Sequence, residues 1–410
     1  MNTAKRESRF NFNKSKTVIS EKLLADFQAV YGAAKPDFIC RAPGRVELVG
    51  GHTDYNQGFV IAAAINHSCF VAASKRSDRR ISIYSDWAKQ KHTFVPSKNL
   101  QPLTNCQWAN YSRGLAALLS KHGLKLKGAN LYISSEIPVG AGLSSSAALE
   151  VSLAKAMVTI SDPNWDIEPS QLARICRQAE NDFANSPCGI MDQIACIMGR
   201  KDQVIILDCR DLSVEFLPFD SKNCCIMIFN SMIRHEIAGT EYSSRRQQCE
   251  KACQILHNIN PKINSLRDVN LSVLNQAKGK LGPTLFSRAS HVINENMRVL
   301  KAAQALKKND MLQLGKLMKE SHRSARDLFQ ISCEQTDFLV DKICQIPGAY
   351  GARITGGGFG GAVVALAQPE AVQEITKSVK GLYRKRFGLN CKIYLSEPSQ
   401  GVELINVANS

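Results

Sequence analysis

The chain has 410 residues of ordinary globular composition, 44% hydrophobic and 21% charged, with 52 basic against 36 acidic side chains and a net charge of +16. That length exceeds a comfortable single core and predicts about two domains, and no run of about 18 apolar residues offers a membrane span. The positive charge raises the question of an anionic partner. It is dispersed, however: Lys75/Arg76, Arg79/Arg80 and Arg245/Arg246 neither merge into one basic run nor interleave with aromatic residues, which argues against nucleic acid.

The first residues, MNTAKRESRFNFNKSK, are basic and lack the apolar core of a secretory signal, so residues 1–17 read as a solvated, flexible tail and the protein is expected in the cytosol. Residues 18–32 carry apolar positions at helical spacing and stop at Gly32. After Pro36, two β-type segments flank a polar loop from His52 to Gly58 that is expected to be exposed. Ile81 to Phe94 alternates like a strand pair, and an amphipathic helix starts at Trp108 and closes at Gly123. Residues 129–160 read as a strand, a Pro/Gly loop, three serines and a long Ala-rich helix. From Pro169 to Asp208 come a helix, a Pro-Cys-Gly break, a short helix and the strand VIILD. A boundary near residue 215 gives an N-terminal domain over 18–215 and a C-terminal domain over 216–410. The second opens with the strand CIMIFNS, continues through helices rich in Arg and Lys, and ends in GARITGGGFGGAVVALA and the strand-like CKIYLSEP.

The 14 cysteines are scattered, and Cys40, Cys69, Cys196 and Cys209 sit in apolar runs, where they behave as small hydrophobes. No C-x-x-C, H-E-x-x-H or Cys/His cluster at zinc spacing occurs, so a transition-metal site is not expected.

Residues 138–149, PVGAGLSSSAAL, have what a nucleotide's phosphates require: convergent backbone N–H groups, small residues that admit an anion, and a helix N-terminus behind them. Gly140 and Gly142 permit the tight turn, Ser144, Ser145 and Ser146 offer N–H and hydroxyl donors, and Ala147 begins a run of good helix formers. Alone, the string also fits a Ser-capped helix after a Gly turn. A second Gly-rich string, Gly356 to Val363, fits the G-x-G-x-x-G pattern of dinucleotide sites and the G-x-G-x-x-G-x-V pattern of protein kinases. Its context is strand-loop-strand, and V-A-I-K, H-R-D, D-F-G and G-x-x-x-x-G-K-[ST] are all lacking, so neither reading holds and no Walker loop is present.

Taken together these segments resemble the GHMP small-molecule kinases, specifically galactokinases. APGRVELVGGHTDYNQG is similar to the family's sugar signature, PVGAGLSSSAALE to its ATP loop, PCGIMDQ to its catalytic segment, EYSSRRQQCE to its sugar-side helix and GARITGGGFGG to its third motif, in the family's order. The resemblance implies a two-domain α+β GHMP kinase fold with the active site in the cleft between lobes, and phosphorylation of a sugar's anomeric hydroxyl with ATP and Mg²⁺. It implies no membrane or nucleic-acid partner, and the expected state is a monomer.

Phosphoryl transfer passes through a loose transition state, so positioning and cationic stabilisation matter more than a strong base. The resemblance assigns Asp192 as the base near the C1 hydroxyl and Arg45 as the arginine that holds it ionised and steadies the transferred charge. Ser146 and Glu180 match the Mg²⁺ ligands, Trp108 a position near adenine, and His52, Asp54 and Tyr242 sugar contacts. Read alone, Trp108 fits a core position, Glu180 a solvated helix face and Asp54 a turn cap.

The main departure is Gly51, where galactokinases generally carry a Glu that contacts the sugar's C6 hydroxyl. Losing that carboxylate leaves open looser galactose binding, a tolerated gap, or acceptance of a C6 carboxylate as in galacturonate; N-acetylgalactosamine and a non-catalytic sugar sensor are further alternatives. Glu47 stands where Asn is usual, Ala63 where Pro is common and Asn181 where His often follows the metal carboxylate.

Overall fold

A computed structural model describes residues 12–32, 35–138, 140–233 and 238–407. Two antiparallel-rich sheets organise the chain, each covered by helices. The first is built from β1 (Phe38–Val49), β2 (Phe59–Lys75), β3 (Ile81–Ser85), β4 (Gln90–Phe94), β5 (Ala129–Ser135), β6 (Gln203–Asp208), β7 (Val214–Pro218) and the last strand of the chain. The second contains β8 (Cys225–Asn230), β9 (Ala349–Thr355), β10 (Ala362–Ala367) and β11 (Lys392–Ser396); β12 (Glu403–Asn406) then returns to the first sheet beside β1. The helices are α1 (Phe12–Tyr31), α2 (Asn110–Lys121), α3 (Ser145–Ser161), α4 (Pro169–Phe183), α5 (Met191–Met198), α6 (Ala238–Ile259), α7 (Leu271–Gln276), α8 (Lys278–Lys307), α9 (Met311–Ser324), α10 (Glu334–Cys344) and α11 (Val372–Phe387).

The first sheet runs β12-β1-β2-β5-β3-β4, with β6 and β7 appended to β2; the second runs β11-β8-β10-β9. Only β3 and β5 pair in parallel, as their separation by helix α2 requires. The long β2 serves two neighbours on one edge: Phe59 to Ala62 face β6, and Cys69 to Lys75 face β5. Strand β1 is buried along all 12 residues, because α3 and α5 as well as α8, α9 and β9 pack against it. Its pairing with β2 shifts register between Pro43 and Arg45 and again between Glu47 and Val49. Such irregularities re-aim side chains, and here they bracket Arg45 and Glu47, two charged groups set inside an apolar sheet.

Two expectations change. Helix α1 begins at Phe12, so residues 12–17 of the expected tail are helical; residues 1–11 lie outside the described residues. The sheets divide the chain between Pro218 and Cys225, but β12 belongs with β1, so the last residues are not part of a second layer that runs unbroken from residue 216 to 410. Among the described residues no helix is long and apolar enough to cross a membrane.

Helix α9 lies on β9 with backbone against backbone: a Cβ at Gly315 would run into the Tyr350 carbonyl. Gly315→Ala sets a helix-propensity gain of up to about 1 kcal/mol against overpacking worth about 1–3 kcal/mol, and the clash wins because its partner is main chain. The variant should unfold at lower urea concentration than the wild type, with an unchanged m-value.

Candidate active site

The site forms where the loop before α3, the N-terminus of α5 and strand β1 meet. Arg45, almost fully buried, reaches from β1 and grips Asp192 with a two-pronged hydrogen bond: Nε donates to Oδ1 at 2.8 Å and Nη2 to Oδ2 at 2.8 Å. Its Nη1 donates to the Gly142 carbonyl at 2.7 Å, and its own backbone N–H to the Leu143 carbonyl at 3.1 Å. One side chain thus fixes both the loop before α3 and the first turn of α5. Ser144 Oγ adds a third donor to Asp192, 2.6 Å from Oδ2.

That bond settles the Ser-capped-helix reading of the loop. Ser144 sits at the N-cap of α3 in the left-handed region, φ 58°, and makes no side-chain cap bond. With its hydroxyl turned to Asp192, the amides of Ser145, Ser146 and Ala147 are left without a side-chain cap at the positive end of α3, where an anion is favoured. Behind the loop lies the second Gly-rich string. A Cβ on Gly356 would stand 2.9 Å from the Gly142 carbonyl, and one on Gly142 3.1 Å from the Thr355 carbonyl. Both glycines have φ above +70° or near it, 80° and 70°. The string therefore supports the loop by bare backbone contact.

Ser146 lies close enough to Glu180 to hold its pKa down, so the two expected metal-side residues are neighbours. Glu180 is buried, which raises its pKa, and it accepts from Cys188 Sγ at 3.2 Å and Gln193 Nε2 at 3.0 Å. The same Gln193 amide donates to Glu150 at 3.1 Å. Glu150 is wholly buried, and burial together with the charge of Glu180 raises its pKa well above the ordinary range. Glu150, Gln193 and Cys188 were not singled out by sequence reasoning. A glutamate inside the Ala-rich stretch SSAALEVSLAKA was the available signal, since a lone carboxylate among apolar neighbours needs a partner.

On the opposite side, the loop expected to be exposed is folded inward. Thr53 Oγ1 has its single proton between the Gly50 and Phe59 carbonyls, 2.7 and 2.6 Å away, and Asn56 Nδ2 donates to the His52 carbonyl at 2.9 Å. These short polar side chains satisfy the loop's own backbone and let it bury. His52 Nε2 donates to the Gly357 carbonyl at 3.2 Å and its Nδ1 accepts from the Tyr55 hydroxyl at 2.8 Å. Burial drives its pKa down to about 3, so the ring is neutral, and both its nitrogens are engaged within the protein. Tyr242, on α6, packs beside His52 and Tyr55 with ring centroids 5.2 and 5.7 Å away. Asp54 lies against the backbone of Gly189; burial first, then the charge of Asp192, raise its pKa to about 7.

Asp192, Arg45, Ser144 and Gly142 are thus one hydrogen-bonded group, with Ser146 and Glu180 on the helices beside it and Asp54 and Tyr242 near enough to act on it or be acted on by it, next to His52. Trp108 is not joined to it by hydrogen bond: half-buried beside the first core, it donates from its indole to Gln90 Oε1 at 3.1 Å. Among the described residues no cluster of three or more His, Cys, Asp or Glu side chains is poised to hold a metal ion. The Ser146–Glu180 pair still fits Mg²⁺, a hard cation that takes few protein oxygens and completes its shell with phosphate and water.

The raised Asp54 gives a testable sign. The folded state keeps a proton that the unfolded chain gives up near pH 4, so the wild type should lose stability as pH rises from about 4 to about 7. Asp54→Asn should therefore gain on the wild type across that window and hold its advantage above it, as read by chemical denaturation at pH 5 and 8. A pH-independent difference would contradict the assignment.

The profile of the "GHMP kinases N terminal domain" matches residues 110–200, the "Galactokinase galactose-binding signature" residues 25–75 and the "GHMP kinases C terminal" residues 302–385. The chain is 39% identical over 383 residues to the galactokinase of Chloroflexus aggregans, covering 93% of this chain and 97% of the relative. It is also 39% identical over 365 residues to that of Thermotoga maritima, covering 89% and 99%. The crystal structure of Lactococcus lactis galactokinase complexed with galactose superposes with a TM-score of 0.88 at 28% identity, over 94% of this chain and 99% of that one. Methanococcus jannaschii mevalonate kinase shares the fold at a TM-score of 0.63 and 18% identity, over 88% and 98%. With its signature, both GHMP domains and near-complete coverage by such relatives, the chain belongs to the galactokinases of the GHMP kinase family.

Proposed function

We propose that this protein transfers the γ-phosphoryl group of ATP to the anomeric hydroxyl of galactose, giving galactose 1-phosphate and ADP. The observation that carries the reading is the Asp192 carboxylate, clamped by Arg45 and Ser144 beside the uncapped N-terminus of α3. An ionised carboxylate offers about four acceptor sites, and three donors occupy Asp192. One site remains to orient a substrate hydroxyl and take its proton as that oxygen bonds to the γ-phosphorus and the bond to the β-phosphate oxygen breaks.

The amides of residues 145–147 would hold the phosphates, and the Arg45 guanidinium, already fixed, would face the charge that develops on the moving phosphoryl group without reorganising. Ser146 and Glu180 would hold Mg²⁺, which when bound neutralises charge on the nucleotide's phosphate oxygens. Asp54 and Tyr242 would contact the sugar. His52 would shape that pocket through its ring face and backbone, since its nitrogens are engaged. Trp108 remains the proposed neighbour of adenine. The sensor alternative is not favoured, because the bonded Asp192–Arg45–Ser144 group and the neighbouring Ser146 and Glu180 are all present.

The test is ATP- and Mg²⁺-dependent formation of galactose 1-phosphate by wild type and Asp192→Asn. Loss of a positioned proton acceptor should lower kcat by about 10²–10⁴-fold while galactose still binds. Unchanged turnover in Asp192→Asn would refute the assignment.

A further inference from the structure

Glu47 and Gly51, separate departures in the sequence, meet in space. Glu47 is buried in β1, its backbone N–H donates to Thr355 Oγ1 at 2.9 Å, and its carboxylate is paired with Arg353 of β9, itself 1% exposed. Both partners border the sugar-side loop: the charge of Glu47 acts on Asp54, and that of Arg353 on His52. Gly51 lies over this pair. A Cβ there would stand 2.6 Å from Arg353 Nη2 and 3.3 Å from Glu47 Oε1.

The loop cannot shift aside to make room. The Gly51 carbonyl accepts from His291 Nε2 at 3.1 Å, and the Gly50 N–H donates to the buried Glu295 at 2.9 Å. Gly51 does not have a positive φ, so it is space, not backbone conformation, that calls for glycine. The volume that a side chain at position 51 would enter is already held by the Arg353 guanidinium, whose Nε has no partner, together with the carboxylate arriving from position 47 that pairs with it.

We infer that Glu47 is a specificity-determining carboxylate of the sugar pocket, positioned by Arg353, and that Gly51 is the space that lets it stand there. The inference rests on the sugar-kinase reading and deepens it. A carboxylate at this end of the pocket accepts from a neutral sugar's hydroxyl and repels a uronate, so the enzyme prefers galactose to galacturonate although position 51 carries no acid. Positions 47 and 51 form one coupled unit through Arg353: a second acid at 51 contends with Glu47 for its guanidinium, whereas shortening Glu47 releases the guanidinium to pair with an acid at 51.

The experiment compares wild type, Gly51→Glu, Glu47→Asn and the double variant Glu47→Asn/Gly51→Glu in kcat/KM for galactose and galacturonate, KM for ATP, and thermal midpoint. Each single change should lower kcat/KM for galactose about tenfold or more, the worth of one charged hydrogen bond, leave KM for ATP unchanged and lower the midpoint. The double variant should recover most of both losses. If Glu47→Asn does not fold, Glu47→Gln, which keeps the shape, should still fold and lose discrimination against galacturonate. Gly51→Glu alone matching or exceeding the wild type, or a double variant no better than the worse single one, overturns the inference. A wild type inactive on both sugars would instead overturn the proposed function, and the recovery of the thermal midpoint would then decide the coupling by itself.

Discussion

Everything at this site depends on where Arg45 places its guanidinium. The side chain is buried, so each N–H it carries needs a partner, and its partners belong to two segments far from its own strand in sequence: the loop ending at Ser144 and the turn opening α5. The register shifts of β1 turn Arg45 toward those segments rather than into the sheet's apolar faces. A lysine would keep the charge but lose the planar fork, and could not hold Asp192 and Gly142 at once.

Around that clamp the protein uses close backbone approach where a side chain would keep elements apart. The loop before α3 rests on the 356–361 segment through glycine against glycine. Behind it, buried carboxyl groups are hydrogen-bonded: Glu150 and Glu180 share the amide of Gln193, and Glu47 pairs with Arg353. Such groups are costly to bury and are tolerated only when bonded.

Much of this was legible in the sequence. The strand–loop–helix order around 129–161 and the helix–break–helix of 169–198 follow from periodicity and from Pro and Gly punctuation, and they place Ser144 and Asp192 at helix starts. The strand–loop–strand context read for the Gly356 string is the one the structure has, between β9 and β10. Long-range pairing was not legible. Nothing local in ELIN says that β12 joins β1, and a polar loop such as HTDYNQG reads as exposed until Thr53 and Asn56 are seen satisfying its backbone. Ser144 was read as a donor toward phosphate, whereas its hydroxyl faces Asp192, 48 residues away in sequence. The Glu47–Arg353 pair spans 306 positions and had no sequence signal of its own.

The central claim is that the fork of Arg45, not merely its charge, assembles the transfer site. Single-turnover phosphoryl transfer by Arg45→Lys at saturating ATP, Mg²⁺ and galactose tests this most directly. The account predicts a chemical step slowed by about a hundredfold or more, as for loss of one preorganised charge-stabilising group, together with weaker nucleotide binding because Gly142 is released. A lysine variant that transfers phosphate at the wild-type rate would contradict it.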